Sequence, residues 1–245
     1  TISTLGVLFC YPIGQEYMKS HWAFRLLANA LVAEGIPVFK FDYYGTGDSL
    51  GDTDDWCIDR WSSDIVEAAN HFKTTANITK LAVISLRFGC VLAANAIDKG
   101  LHVDELILWN PVVTGSQYLN TIKQSNRHSI NNEQCYFPFP TDEDLGVQEN
   151  EIMGYCYNEK VLKQIQSAQL MNNRIENCDN VFITASTHDE QFTHLLASLK
   201  PKFNNACYHL IEEAVDWDDY QKFQDAVLPS EMIHRITELI EGEKP

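Results

Sequence analysis

Leu81-Ala82-Val83-Ile84-Ser85-Leu86-Arg87-Phe88-Gly89-Cys90-Val91-Leu92-Ala93-Ala94-Asn95 reads as a strand, a tight turn and a helix. Residues 81–84 form a continuous apolar, partly β-branched run, as a strand covered on both faces requires. From Gly89 onward, small and apolar residues suit a helix pressed against that strand. A strand that turns directly into a helix can carry a nucleophile on a strained elbow of the form G-x-S-x-G. Here the five positions are Ser85-Leu86-Arg87-Phe88-Gly89, and the nucleophile position holds Arg87.

Outward from this stretch the chain alternates. Leu5–Cys10 reads as a buried strand ending at Tyr11-Pro12-Ile13-Gly14, and a helix is expected from about Ser20 to Ala33, its apolar face including Trp22, Phe24 and Leu27. A strand over Ile36–Phe41 leads into the turn-rich loop Asp42–Ser49, and a helix over about Asp55–Phe72 follows. Beyond the central stretch come a strand at Glu105–Trp109, a strand at Val181–Thr184, a helix at Glu190–Leu199, a strand at Cys207–Ile211 and a helix at Glu231–Ile240. Residues 115–160 break the rhythm; they are polar, carry Tyr136-Phe137-Pro138-Phe139-Pro140 and show no clean period, which predicts an irregular lid or binding insertion. The alternation predicts an α/β fold with a mostly parallel, doubly wound sheet, in one domain over residues 1–245. Ligands of such sheets bind beyond the carboxyl ends of the strands, so the residues to watch are 11–16, 42–49, 86–90, 109–112, 185–190 and 212–218.

The 245 residues carry a formal net charge of −16, which argues against partnership with nucleic acid or an anionic membrane surface. No apolar run is long enough to span a bilayer. Seven scattered cysteines, with no C-x-x-C pair, fit neither a disulfide framework nor a zinc site, so a reducing cytoplasm is expected, with no metal and no cofactor. The chain starts without Met and almost directly in a strand, so further sequence upstream is expected.

Five segments carry a resemblance: Pro12-Ile13-Gly14-Gln15-Glu16-Tyr17, Phe41-Asp42-Tyr43-Tyr44-Gly45-Thr46-Gly47-Asp48-Ser49, Leu86-Arg87-Phe88-Gly89, Leu108-Trp109-Asn110-Pro111-Val112-Val113-Thr114-Gly115 and Gly154-Tyr155. Through them the chain resembles the α/β-hydrolase superfamily, and within it the exosortase-A-associated and biosynthetic-cluster branch of the serine-aminopeptidase-like hydrolases. The resemblance implies an α/β-hydrolase fold, a small cap at residues 115–160, and two further strands ahead of Leu5 that this sequence lacks. It also implies that a Ser, Asp or Cys attacks an acyl carbon, a His relays the proton and an acid orients the His.

Against that pattern Arg87 is a departure, because a guanidinium stays protonated and has no lone pair to attack with. Ser85 lies two residues back inside the strand, and Cys90 reads either as a small core residue or as a thiol activated by a helix N-terminus. The acid position, after the strand at Val181–Thr184, offers Asp189 beside His188. The base position, after Cys207–Ile211, reads Glu212-Glu213-Ala214-Val215-Asp216-Trp217-Asp218-Asp219 and has no histidine. A buried Arg87 needs a carboxylate, with Glu16, Asp42, Asp189 and Asp216 as candidates, or an anionic ligand. By the resemblance, the backbone N–H groups of the Gly14 turn and Phe88 form an oxyanion hole, and Trp109, Tyr118, Tyr155 and Trp217 are candidate pocket walls. Asp42 and Asp48 are expected to tie their own turn.

The leading expectation is a hydrolase-like protein with a degenerate triad that binds a small molecule bearing an acyl or anionic group, anchored by Arg87, in a biosynthetic pathway. One alternative is an active ester or thioester hydrolase, or a non-hydrolytic acid–base enzyme using Arg87 with Glu16, Asp189 or Asp216. Another is an interaction or scaffold protein. Assembly as a homodimer is compatible with each.

Overall fold

A strand with a continuous apolar run needs cover on both faces, and β3 (Lys80–Leu86) obtains it: every residue from Leu81 to Leu86 is buried. The computed structural model describes residues 5–134, 150–203, 205–213, 217 and 228–242. In it β3 is an inner strand of a six-stranded sheet with β1 (Leu5–Cys10), β2 (Val38–Phe39), β4 (Val103–Trp109), β7 (Cys178–Ala185) and β8 (Asn205–Leu210). The spatial order is β2-β1-β3-β4-β7-β8 and every pairing is parallel. A separate two-stranded antiparallel ribbon joins β5 (Glu151–Ile152) to β6 (Tyr155–Cys156).

The helices are α1 (Gln15–Ala33), α2 (Ile58–Ala76), α3 (Gly89–Asp98), α4 (Gly115–Gln134), α5 (Glu159–Ser167), α6 (Glu190–Leu199) and α7 (Ser230–Glu241). Parallel crossovers are right-handed, and the chain moves one way from β1 to β2 but the other way from β2 to β3 and onward. This places α1 on one face and α2 and α3 on the other. The helix pairs that touch, α1 with α7 and α2 with α3, agree with that assignment. The strand order reverses between β1 and β3, and that switch point is where open α/β sheets bind ligands.

Register fixes what meets there. Cys10 lies level with Ser85, Leu86 with Trp109, and Trp109 with Thr184. The residues that follow these strands, 11–16, 87, 110 and 186, therefore emerge at one end of the sheet. This is the α/β-hydrolase arrangement expected from the sequence.

Several boundaries differ from the sequence reading. Helix α1 starts at Gln15, a turn earlier than expected, because its first turn is polar and lies over the strand ends. Its core face is Ala23, Phe24, Leu27 and Leu31, while Trp22 is exposed. Strand β2 is only two residues long, an edge strand paired on one side, and Pro37 contributes only its carbonyl, to Val7 N at 2.9 Å. The stretch expected to be irregular opens instead as the regular helix α4. Tyr118, Leu119 and Ile122 are buried along it and its other described side chains are exposed or only partly buried, which is why its sequence shows so little period. The 135–149 part of the expected cap, with the Tyr136–Pro140 run, lies outside the described residues. Helix α5 starts on Asn158, whose Oδ1 accepts from Val161 N at 2.8 Å and whose Nδ2 donates to the carbonyls of Thr53, Asp54 and Trp56. No helix among the described residues is long and apolar enough to cross a membrane.

Candidate functional site

Strand β3 ends at Leu86, α3 begins at Gly89, and Arg87 makes the turn with φ +54°. A non-glycine residue held there costs about 1–2 kcal/mol, so the surroundings must enforce it. They do so through the backbone: Arg87 N donates to Trp109 O at 3.0 Å, and Arg87 O accepts from Cys90 N at 3.1 Å and Val112 N at 3.3 Å. Gly89 permits the sharp turn, since a Cβ there would stand 2.5 Å from Cys10 O and 2.6 Å from Tyr11 O. The elbow is thus built as a nucleophile elbow is built, with a guanidinium at its tip.

Of the four carboxylates considered for Arg87, the structure selects Glu16. Arg87 Nε donates to Glu16 Oε1 at 2.9 Å, with the two side chains 9% and 1% exposed. Tyr118 of α4 donates its hydroxyl to Glu16 Oε2 at 3.1 Å, stacks on Phe88 and lies under the guanidinium, 5.8 Å from ring centre to Cζ. Asp42 is engaged elsewhere, accepting from Tyr17 Oη at 2.7 Å and Asp48 N at 3.0 Å. Asp189 caps α6, its Oδ1 accepting from Gln191 N at 2.8 Å and its Oδ2 from Gln191 Nε2 at 3.2 Å. Asp216 lies outside the described residues.

The other two nucleophile candidates point into the sheet. Ser85 Oγ donates to Ile107 O at 2.9 Å and is fully buried. Cys90 Sγ donates to Ser85 O at 3.2 Å, and burial pushes its thiol up to about 12 against the lowering effect of Ser85 and Arg87, so the helix N-terminus does not activate it. His188 is exposed, and His209 sits within β8 beside Phe182 and Arg235, with 3.4 Å between His209 Nδ1 and Arg235 Nη2.

Beside Arg87 opens a cavity of about 360 Å³ whose wall includes Asn110, Thr114, Gln117, Tyr118, Ser186, Asp189 and Trp217. Of the aromatic candidates, Tyr118 and Trp217 reach it. Trp109 is fully buried and packs edge-on against Trp217 at 6.0 Å, and Tyr155 belongs to the β5–β6 ribbon, against Trp56 at 5.8 Å. Phe88 is buried under Tyr118, and Gly14 (φ +58°) leaves the space that the Tyr157 hydroxyl occupies. Glu16 borders a separate small hole of about 10 Å³.

Asn110 and Ser186 were not singled out by the sequence, although both lie within the strand-end ranges it flagged. Asn110 takes φ +42°, a conformation Asn tolerates, and clamps the next strand end. Its Nδ2 donates to Ser186 Oγ at 2.7 Å and its Oδ1 accepts from Ser186 N at 2.8 Å. Among the described residues, ligand atoms suited to a metal gather at His102, Asp104 and Asp179, at the opposite end of the sheet.

A family profile described as serine aminopeptidase, S33 matches residues 17–178. No curated protein matches the sequence. Among solved structures, an esterase of Pyrococcus furiosus is 15% identical and superposes with a TM-score of 0.65, over 98% of this chain and 81% of the esterase. Est1E of Butyrivibrio proteoclasticus is 13% identical with a TM-score of 0.61, over 98% of this chain and 86% of its own. DcsB, solved in complex with its substrate analogue, is 13% identical with a TM-score of 0.59, over 98% and 90% of the two chains.

Proposed function

Since the chain belongs to the serine aminopeptidase S33 family of α/β-hydrolases, we propose that it retains the hydrolase scaffold and cavity but not nucleophilic hydrolysis. On this reading it binds a small molecule bearing an acyl or anionic group in the cavity beside Arg87. The observation that carries the reading is Arg87 at the elbow tip, ion-paired with buried Glu16 where an attacking oxygen would stand. A fixed guanidinium neither attacks a carbonyl nor accepts a proton. The cavity wall also includes no histidine among the described residues, so the proton relay is missing with the nucleophile. What remains is a cavity of ligand size with convergent polar groups.

Six described cysteines, all unpaired, support a cytoplasmic setting. A role in a biosynthetic pathway rests on the resemblance to the biosynthetic-cluster branch. Acid–base chemistry without a nucleophile is the second reading, supported by Asp189, a carboxylate on the cavity wall among the described residues.

A fluorophosphonate probe tests the main reading. The expected outcome is no covalent adduct by intact mass and no hydrolysis of p-nitrophenyl esters above the protein-free rate. An adduct on any serine of the chain overturns it.

A further inference from the structure

The two edges of the sheet are finished differently. Strand β2 is two residues long and follows Pro37, features that blunt an edge against pairing with another chain. Strand β8 closes the other edge with six residues, Asn205 to Leu210, and carries no proline, lysine or carboxylate. Both its faces are occupied. Tyr208 packs on Phe192 of α6 at 6.1 Å, and His209 lies against Phe182 at 6.5 Å, beside Arg235 of α7.

The outer rim of β8 is open. Ile211 N donates to Ala185 O at 2.9 Å, so the backbone groups of Cys207 and His209 face β7. By alternation, the N–H and C=O groups of Ala206, Tyr208 and Leu210 point away from the sheet. No strand among the described residues pairs with that side. Leu210, at the end of the rim, is 39% exposed. An edge of this length and chemistry is a template for another strand.

Two features make the rim complementary to itself. With a net charge of −16, two copies of the chain repel over most of their surface. Here, however, exposed Lys200 and Lys202 precede the strand and exposed Glu212 follows it, so an antiparallel pair sets basic end beside acidic end. The same pair, centred on Tyr208, sets exposed Leu210 opposite small Ala206, and every outward residue meets an outward residue with which it exchanges N–H···O bonds.

We propose that the β8 edge binds a second copy of this chain, antiparallel about a two-fold axis at Tyr208, and joins the two sheets into one. This goes beyond the binding reading above and does not depend on it.

Sedimentation velocity and amide hydrogen exchange on the full chain test it. A dimer is expected at about 100 µM, with the Ala206, Tyr208 and Leu210 amides protected in the dimer and exchanging freely on dilution. Leu210→Lys puts a charge on the rim and Ala206→Pro removes a donor from it; each should raise the dissociation constant about tenfold or more without changing the circular dichroism of the monomer. His209→Cys reads the register, because oxidation should link the new thiol to the partner's Cys207 across a non-hydrogen-bonded pair. A wild-type chain that stays monomeric at about 100 µM overturns the proposal. Protection of the three amides in that monomer assigns the edge instead to residues 214–227 of the same chain. A dimer that keeps its affinity in both rim variants forms elsewhere and also overturns it, as does a His209→Cys dimer that does not cross-link.

Discussion

Arg87 carries two burdens at once, a left-handed backbone and a buried charge, and Glu16 answers the second. Breaking a buried pair leaves an uncompensated charge, whereas replacing both partners with apolar side chains of similar size is often neutral. Glu16→Gln and Arg87→Met should each therefore lower the stability by about 3–5 kcal/mol, while Arg87→Met combined with Glu16→Leu should recover most of that loss. Urea unfolding of the three variants checks this, and a Glu16→Gln loss below about 1 kcal/mol would show that the charges are solvated. Which partner Arg87 takes was not legible in the sequence, since Glu16, Asp42, Asp189 and Asp216 all follow strands. The choice depends on α1 starting at Gln15, which brings Glu16 to the elbow, and on Tyr118 reaching the same carboxylate from a helix more than a hundred residues downstream.

At the scale of elements, the inner strands were legible because burial on both faces writes a continuous apolar run. The edge strand β2 was legible in place but not in length, since the expected strand Ile36–Phe41 pairs only at Val38–Phe39, and the helix α4 was not legible, because it buries few side chains along its length. Strand β4 shows a different tension. Glu105 lies on it in register with Ala82 and Asn180, half-buried, with Oε2 lacking a partner among the described residues. Burial, then the charge of Asp104, push its carboxyl up to about 7 from 4.5, with Lys80 partly offsetting them. Here the folded state holds the proton more tightly than the unfolded chain. The group is therefore most favourable below about pH 4.5 and loses stability as the pH rises towards 7. Glu105→Gln should exceed the wild type at pH 8 by about 1–2 kcal/mol, a figure discounted for partial exposure, and the gap should close by pH 4.5. Thermal unfolding at both pH values reads it out, and a gap independent of pH would remove Glu105 as its source.

Over the whole molecule, hydrolysis in this fold requires three strand ends to deliver three different groups to one point. The parallel register still delivers the ends: Arg87 after β3, Asp189 beyond β7, and Trp217 beyond β8 all reach the same cavity. On the reading proposed above, the chemistry they carry is no longer that of hydrolysis: Arg87 stands at the elbow tip, with Asp189 and Trp217 on the wall of the cavity beside it. A single reversion therefore cannot restore function, because a serine needs a base within hydrogen-bond reach. In the variant Arg87→Ser/Glu16→Gln, which removes both members of the ion pair, the elbow should regain a hydroxyl at its tip without gaining an imidazole to deprotonate it. Hydrolysis of p-nitrophenyl acetate by this variant should show no nitrophenolate burst and should exceed the protein-free rate by no more than about 10³–10⁴-fold, the residue expected of binding and an oxyanion hole without a triad. A burst of nitrophenolate equal to the protein concentration would show that a base reaches position 87 after all. The elbow would then be a hydrolase site blocked by one residue rather than a binding site rebuilt at two.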